Sequence, residues 1–109
     1  METQTINGES YKVVNGTFYY IETPDKTIEF LEKVRKSGER IVLDYGNTET
    51  MESWGEVYDI TGTISRSMGP VKIPLLIHNS RSLGGGAILT HCIIKAYTSK
   101  GKRQIFSLK

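Results

Sequence analysis

The stretch that decides the fold class is YKVVNGTFYYIETPDKTIEFLEKVRKSG, residues 11–38. Its first part is a hairpin signal, because Asn15-Gly16 separates two runs rich in β-branched and aromatic side chains. Both residues of this dipeptide tolerate the positive φ values of a type I′ turn, which joins antiparallel strands through two residues. We therefore expect a β-hairpin at this point. Residues 1–9 are polar and are predicted to form a flexible tail.

The second part of the stretch predicts a helix over about residues 24–37. Apolar side chains recur there at helical spacing and form one stripe, Ile28, Leu31 and Val34. Thr23 is placed to cap the first turn, and Gly38 is suited to end the helix because glycine readily adopts the left-handed conformation. Packing against a core explains such a stripe, so this helix needs no functional role.

From residue 40 onward the pattern is mostly β. Strands are predicted at 40–45, 54–60, 62–66, 72–78, 87–98 and 103–108, and Gly62 leaves open whether the second and third are one bent strand. Pro74 favours an edge position or a bulge for the strand that contains it, since proline cannot donate to a ladder. The expected fold class is therefore α+β, with one N-terminal helix packed on a curved antiparallel β-sheet or partial barrel. Residues 10–109 are predicted to form a single domain.

Composition narrows the class of protein but not its function. The chain has 109 residues, 38% hydrophobic and 24% charged, which are ordinary values for a globular domain. Its apolar runs are far shorter than a membrane span, and the N-terminus has no secretory signal, so no membrane partner is expected. The single cysteine, Cys92, cannot form an internal disulfide and fits a reducing cytoplasm. The predicted location is cytoplasmic, in the host cell if the gene is carried by a phage.

The charges are strongly sorted along the chain. All 12 acidic residues lie at or before Asp59, and the first 60 residues carry six Lys or Arg, for a net charge of −6. Residues 61–109 carry eight Lys or Arg and no acid, for a net charge of +8. An acid-free half of this kind is typical of a protein surface that binds an anion. The alternative is that the acidic and basic halves of the chain neutralise one another across the fold.

Two segments of the acid-free half could hold a phosphate. Residues 67–70 are predicted to form a turn, with Arg66 and Lys72 at the two strand ends beside it, so that the segment offers two cations and the hydroxyl of Ser67. The second segment is a loop with three consecutive glycines, which permit close approach of a ligand to the backbone. Its candidate ligand-binding residues are Asn79, Ser80, Arg81, Ser82, Gly84, Gly85 and Gly86. An ordinary basic hairpin and a flexible linker are the alternatives for the two segments.

Trp54 completes the predicted ligand site as a stacking partner for a base, although a role in the core is an alternative. Asp44 or Asp59 is the predicted contact for a ribose hydroxyl. No nucleophile–base pair or metal-ligand set can be assembled from the motifs, so a binding protein without cofactor, metal or catalytic residues is expected. One catalytic alternative stays open, in which Asp44 or His91 acts as a general base on a phosphodiester.

The segment from Tyr45 to Ile93 includes SWGE, DITGTI, RSMGPVKIPLL and NSRSLGGGAILTHCI. This string resembles a family of small proteins carried by phages and plasmids. The resemblance implies a counter-defence setting, in which small proteins sequester nucleotide immune signals as sponges or inhibit CRISPR effectors. It assigns no role to any residue.

These observations together predict a counter-defence protein that sequesters a small phosphorylated signalling molecule without cleaving it. A cyclic oligonucleotide and an ADP-ribose derivative are the ligand classes considered. Extended nucleic acid is disfavoured, because the aromatic residues lie mainly in the acidic half. A homo-oligomer is expected, with the strand around Pro74 as the edge covered by a second copy. The alternatives are a protein-binding inhibitor of a host defence effector such as a CRISPR nuclease, and a phosphodiesterase acting on the same ligand.

Overall fold

A computed structural model describes residues 2–6, 8–60, 64–68, 71–78 and 86–109, with side chains described for 2–6, 8–56 and 90–109. The elements in chain order are β1 (Glu2–Ile6), β2 (Glu9–Val14), β3 (Thr17–Tyr20), α1 (Asp25–Ser37), β4 (Ile41–Gly46), β5 (Ser53–Ile60), β6 (Ile64–Met68), β7 (Val71–His78), β8 (Gly86–Leu89), a 3-10 helix (Thr90–Cys92), β9 (Ile93–Thr98) and β10 (Gln104–Ser107). Within these residues the structure has one α-helix and antiparallel sheets, so the fold is α+β, as predicted.

The N-terminal hairpin and the helix form where the sequence predicts them. β2 and β3 are joined by Asn15 and Gly16, whose φ values of 50° and 76° are those of a type I′ turn. The helix ends at Gly38, which has a φ of 68° and donates its N–H to the Val34 carbonyl. Each of these local signals depends on backbone chemistry at one or two residues, which explains why the sequence alone locates them.

The N-terminal segment differs from its prediction. Residues 1–9 are predicted to be a flexible tail, but Glu2–Ile6 forms β1 and pairs with β2 over five positions. β1 is exposed along most of its length and carries few apolar side chains, so the burial pattern that reveals a strand in a sequence is missing. Backbone pairing with β2 stabilises it instead.

Thr23 also differs from its prediction, because it makes no cap on the helix. Its hydroxyl is fully buried and shares a hydrogen bond of 3.1 Å with the hydroxyl of Thr90 in the 3-10 helix. Its carbonyl accepts a hydrogen bond of 2.7 Å from the ammonium of Lys12, which also pairs with Asp25 at 3.0 Å. Thr23 therefore ties the start of the helix to two other elements.

The strands are divided among three antiparallel sheets, in the orders β1-β2-β3, β10-β9-β4-β5 and β6-β7-β8. The predicted strand at 87–98 is wrong in one respect, because the 3-10 helix interrupts it and carries the chain from the third sheet to the second. The predicted segments 54–60 and 62–66 are separate strands in different sheets. Among the described strands, no sheet is seen to close on itself.

The edge position predicted for the strand around Pro74 is wrong, because β7 is the central strand of its sheet. The alternative of a bulge is not seen either, since β6 and β7 pair in continuous register. Pro74 is opposite Ser65 of β6, whereas the pairing with β8 ends at Leu75 and Leu89. Pro74 therefore lies one residue beyond the β8 ladder, where a missing N–H breaks no bond on that side. The strand around Pro74 is therefore not the free edge that a second copy was predicted to cover in the homo-oligomer.

The main core lies between α1 and the four-stranded sheet. The helix buries the predicted stripe, Ile28, Leu31 and Val34, against inward-facing side chains of β3, β4, β9 and β10. The largest of these partners are Tyr19, Ile41, Leu43, Ile93 and Phe106. Full burial of such side chains stabilises the fold by about 1.5–3 kcal/mol each. Among the described residues, no helix is long and apolar enough to cross a membrane.

Candidate anion-binding site

A cavity of about 590 Å³ lies at the end of the four-stranded sheet where β4 begins and the β9–β10 turn closes. We call it the basic pocket. It is lined by Glu39, Arg40, Thr98, Ser99, Lys100, Gly101 and Arg103. The left-handed Gly38 ends the helix and directs the chain into β4, and the Arg40 carbonyl then accepts the Ser99 N–H at 3.2 Å. The helix cap and the turn thereby bring Arg40 beside the C-terminal basic residues.

One buried hydroxyl organises the turn that forms the pocket. Thr98 Oγ1 donates to the Lys100 carbonyl at 2.8 Å and accepts the Arg103 N–H at 3.0 Å. The Thr98 N–H donates to the Arg103 carbonyl at 2.8 Å, which closes the base of the turn. Gly101 then adopts a φ of 81°, which suits glycine. Because these hydrogen bonds are internal, the backbone of the turn keeps its shape without help from a ligand.

The charge of the pocket favours an anion. Three cations line it against one carboxylate, that of Glu39. Within the part of the chain whose side chains are described, no ion pair joins Arg40, Lys100 or Arg103 to an acid. Arginine donates paired, charge-assisted hydrogen bonds to phosphate oxygens and is well suited to this ligand.

Ser99 also lines the pocket. Its hydroxyl oxygen is shielded from solvent and has no hydrogen-bond partner among the described residues. Because solvent does not reach this oxygen, a ligand would bond to it only after the turn rearranges. The pocket thus combines three cations with a fixed turn.

The opposite end of the same sheet is acidic. The loop 47–53, which we call the acidic loop, is held by Asn47, whose side-chain oxygen accepts the N–H groups of Glu49 and Thr50 at 2.9 and 3.1 Å. Trp54 follows this loop and is 62% exposed, so the alternative of a core role is wrong. Six residues of β4 separate the two ends, which at about 3.4 Å per residue is roughly 20 Å.

Charges between the two ends neutralise one another. Glu56, Asp44 and Lys95 are register partners across β5, β4 and β9 and so share the face opposite the core. Asp44 accepts a hydrogen bond from Ser53, and Glu56 pairs with Lys102 at 3.2 Å. Asp44 therefore lies on the same sheet face as Trp54, but among residues of both signs.

The structure describes only part of the predicted ligand site. Arg66 and Ser67 lie on β6 and Lys72 on β7, and the backbone register places Ser67 opposite Lys72. Gly86 begins β8. Asn79, Ser80, Arg81, Ser82, Gly84 and Gly85 lie outside the described residues, as do the side chains of Arg66, Ser67, Lys72 and Asp59. Trp54 and the basic pocket are thus the parts of the candidate site whose side-chain geometry is known.

His91 and Cys92 lie in the 3-10 helix rather than inside a strand. The His91 ring meets Tyr20 edge to face, with 5.8 Å between centroids and an interplanar angle of 84°. Burial raises the pKa of the Cys92 thiol, which keeps it protonated and weakly nucleophilic at neutral pH. Among the described side chains, no group of three or more His, Cys, Asp or Glu is arranged to hold a metal ion.

Sequence reasoning missed the basic pocket. Arg40 belongs to the acidic half of the chain and lies 59 residues before Ser99 in the numbering. Lys100, Lys102 and Arg103 form a visible basic run, but the sequence does not reveal that Lys102 pairs with Glu56 while the other two line a cavity. The available signal was Gly101, a turn glycine within a basic run.

Comparison with known proteins gives no match: no protein-family model, curated protein or solved structure is similar to this chain.

Proposed function

We propose that the protein binds a small phosphorylated molecule without cleaving it, and that the basic pocket takes part in this binding. The proposed ligand is a nucleotide immune signal, either a cyclic oligonucleotide or an ADP-ribose derivative, sequestered in the cytoplasm during counter-defence. The observation that carries the proposal is that Arg40, Lys100 and Arg103 line one pocket against a single carboxylate, that of Glu39.

The pocket supports a useful affinity for such a ligand. Hydrogen bonds between charged groups contribute about 1.5–3 kcal/mol each, and three of them approach the roughly 8 kcal/mol of a micromolar complex. Glu39 opposes this attraction, and salt screens it because the arginines are exposed. The affinity is therefore expected to fall as the ionic strength rises.

Calorimetric titration against a panel of cyclic dinucleotides, cyclic trinucleotides and ADP-ribose derivatives tests the proposal. Arg40→Ala and Arg103→Ala are each expected to weaken binding at least tenfold, whereas Lys36→Ala on the helix removes an exposed charge outside the pocket and is expected to change nothing. If no ligand of the panel binds the wild-type protein, the proposal fails.

The segments predicted from the sequence have their own test. Arg66→Ala and Arg81→Ala are expected to weaken binding if these segments contribute to the same site, and their effects are separable from those of Arg40 and Arg103. Denaturing the complex and recovering the ligand distinguishes binding from the phosphodiesterase alternative, because a cleaved product would show catalysis.

A protein-binding inhibitor is the second candidate function, favoured by the exposed Trp54 beside the acidic loop. Tryptophan is enriched among residues that dominate protein interfaces, and Glu49 and Glu52 supply exposed negative charge for a basic effector. Charge reversal at Glu49 and Glu52 combined with Trp54→Ala is expected to abolish inhibition if this candidate is correct. The same variant would leave nucleotide binding unchanged.

We further propose that the sheets curve into a partial barrel. We also propose that the protein is a homo-oligomer. The open position of the basic pocket at a sheet end supports the homo-oligomer, because a second copy could complete the enclosure of a ligand. Light scattering at micromolar concentration tests it, and a monomeric mass in the presence of bound ligand would refute it.

A further inference from the structure

A second cavity of about 450 Å³ lies between α1 and β10, and we call it the aromatic groove. Phe30 and Phe106, two of its lining residues, stack with 4.7 Å between ring centroids and an interplanar angle of 23°. Lys26 places its ammonium 5.7 Å from the centroid of Phe106, and Ile105 adds an aliphatic wall. The volume lies within the range of about 300–1,000 Å³ that is typical of small-molecule sites.

The aromatic groove and the basic pocket meet at one residue. Glu39 lines both cavities, and it is the residue that precedes Arg40 in the chain. Its N–H donates to the Ser37 hydroxyl at 3.2 Å, which fixes the backbone just after the helix cap. A ligand bound by its phosphate in the basic pocket can therefore extend past Glu39 into the groove.

We propose that the aromatic groove is the nucleoside subsite of the ligand whose phosphate binds in the basic pocket. This inference rests on the proposed function and deepens it. The base packs against the half-buried ring of Phe30, since aromatic side chains stack on bases without regard to their identity. Glu39 lines both subsites, and in this proposal its carboxylate accepts hydrogen bonds from the ribose hydroxyls.

The polar residues of the groove favour a nucleoside over an alkyl chain. Lys26, Lys33 and Glu29 line the cavity together with the aromatic rings. A planar base offers donors and acceptors along its edge as well as an apolar face, and so satisfies both parts of this lining. An alkyl chain would match only the apolar part of the lining.

Phe30 replaces Trp54 as the stacking residue in this proposal. Trp54 lies at the far end of the sheet, roughly 20 Å from the basic pocket along β4. A base attached to a phosphate in the pocket would not span that distance. Trp54→Ala is accordingly expected to leave nucleotide affinity unchanged.

Two probes that differ only in the base test the subsite: AMP and ribose 5-phosphate. The wild-type protein is expected to bind AMP about tenfold more tightly. Phe30→Leu should remove most of this preference and leave the affinity for ribose 5-phosphate unchanged, whereas Arg103→Ala should weaken both. Phe18→Leu, which makes the same change in a separate aromatic cluster, is the matched control and should alter neither.

The outcomes separate this inference from the proposed function. If AMP and ribose 5-phosphate bind equally, or if the preference survives in Phe30→Leu, the subsite inference is wrong while phosphate binding stands. If neither probe binds but a larger signal does, the subsite inference also fails alone. If no phosphorylated ligand binds, both proposals fail.

A second measurement on the unmodified protein protects the test against a variant that does not fold. Nuclear Overhauser contacts between the adenine protons of bound AMP and the ring protons of Phe30 are expected. Contacts to the Trp54 indole instead would overturn the inference.

Discussion

The two ends of the four-stranded sheet are built alike and charged oppositely. Each is closed by a turn that one side chain holds together, Thr98 at the basic pocket and Asn47 at the acidic loop. The basic pocket presents three cations around a cavity, whereas the acidic loop presents exposed carboxylates and an exposed tryptophan. The same local architecture thus supports two different surfaces, and the charges decide which class of ligand each suits.

Between its two ends the sheet carries acidic and basic residues that neutralise one another, so an excess of one charge remains only at the ends. Glu56 pairs with Lys102, and Asp44 shares a row with Lys95, so acids of the first half meet cations of the second. The two halves of the sequence therefore neutralise one another there, which was the alternative to an anion-binding surface. The proposed anion binding concerns a different part of the same sheet, the basic pocket.

The largest difference between the two ends is expected from replacing a glycine at each. A Cβ on Gly46, beside the acidic loop, would lie 2.9 Å from the Glu52 carbonyl carbon and closer still to its oxygen. Gly46→Ala is expected to destabilise the fold by about 3 kcal/mol and to lower Tm by roughly 10–20 °C. Gly101→Ala meets no atom within 4 Å and should cost only about 1 kcal/mol, from its φ of 81°.

Thermal unfolding of both variants by circular dichroism provides the measurement. If both variants lose the same stability, the backbone near Gly46 moves easily to make room for a Cβ. The expected steric clash with the Glu52 carbonyl would then be wrong.

The hydroxyl that holds the basic pocket gives the next largest effect. Thr98→Val keeps the shape of a buried side chain but leaves the Arg103 N–H and the Lys100 carbonyl without their partner. We expect a loss of about 2 kcal/mol in the free energy of unfolding, together with weaker phosphate binding. Thr50→Val in the acidic loop is exposed and is the matched control, with an expected loss below about 0.5 kcal/mol.

Chemical denaturation measures both free energies, and calorimetry measures binding. A Thr98→Val protein that retains full affinity for a nucleotide would contradict the view that the turn preorganises the pocket.

The smallest expected effect is the difference in nucleotide binding between substitutions of Lys100 and Lys102, two lysines of the same turn. Lys100 lines the basic pocket, whereas Lys102 pairs with Glu56 and lies 6.0 Å from the centroid of the Tyr97 ring. Lys100→Ala is expected to weaken nucleotide binding about fivefold, roughly 1 kcal/mol, and Lys102→Ala by less than twofold. Because the Lys102 side chain is 56% exposed, solvent screens its ion pair with Glu56, and the loss of the pair should cost no more than about 0.5 kcal/mol of stability. Equal effects on binding would show that overall positive charge, rather than this pocket, attracts the ligand.

The sequence predicts local structure well and the candidate site poorly, for one physical reason. The Asn15-Gly16 turn and the Gly38 stop depend on φ preferences of the residues themselves, so the sequence identifies them directly. β1 and the central position of β7 depend on pairing with strands elsewhere, which no local pattern reveals.

The same dependence on residues distant in the chain explains why the basic pocket could not be predicted from the sequence. The basic pocket joins Arg40 to the β9–β10 turn through the pairing of β4 with β9, so its members are far apart in the chain. The acid-free half indicates an anion-binding tendency, but it omits Arg40 and includes Lys102, which is paired. The exposure of Trp54 could not be predicted either, because its neighbours in sequence form no clear pattern.

Amide chemical-shift mapping with ADP-ribose tests most directly the claim that the basic end of the sheet, rather than the acidic end, binds phosphate. We predict saturable shifts at Arg40 and at residues 98–103 that diminish as salt is added, with no shift of the Trp54 indole N–H. Shifts confined to the acidic loop and Trp54, with the amides of residues 98–103 unchanged at saturation, would contradict the account.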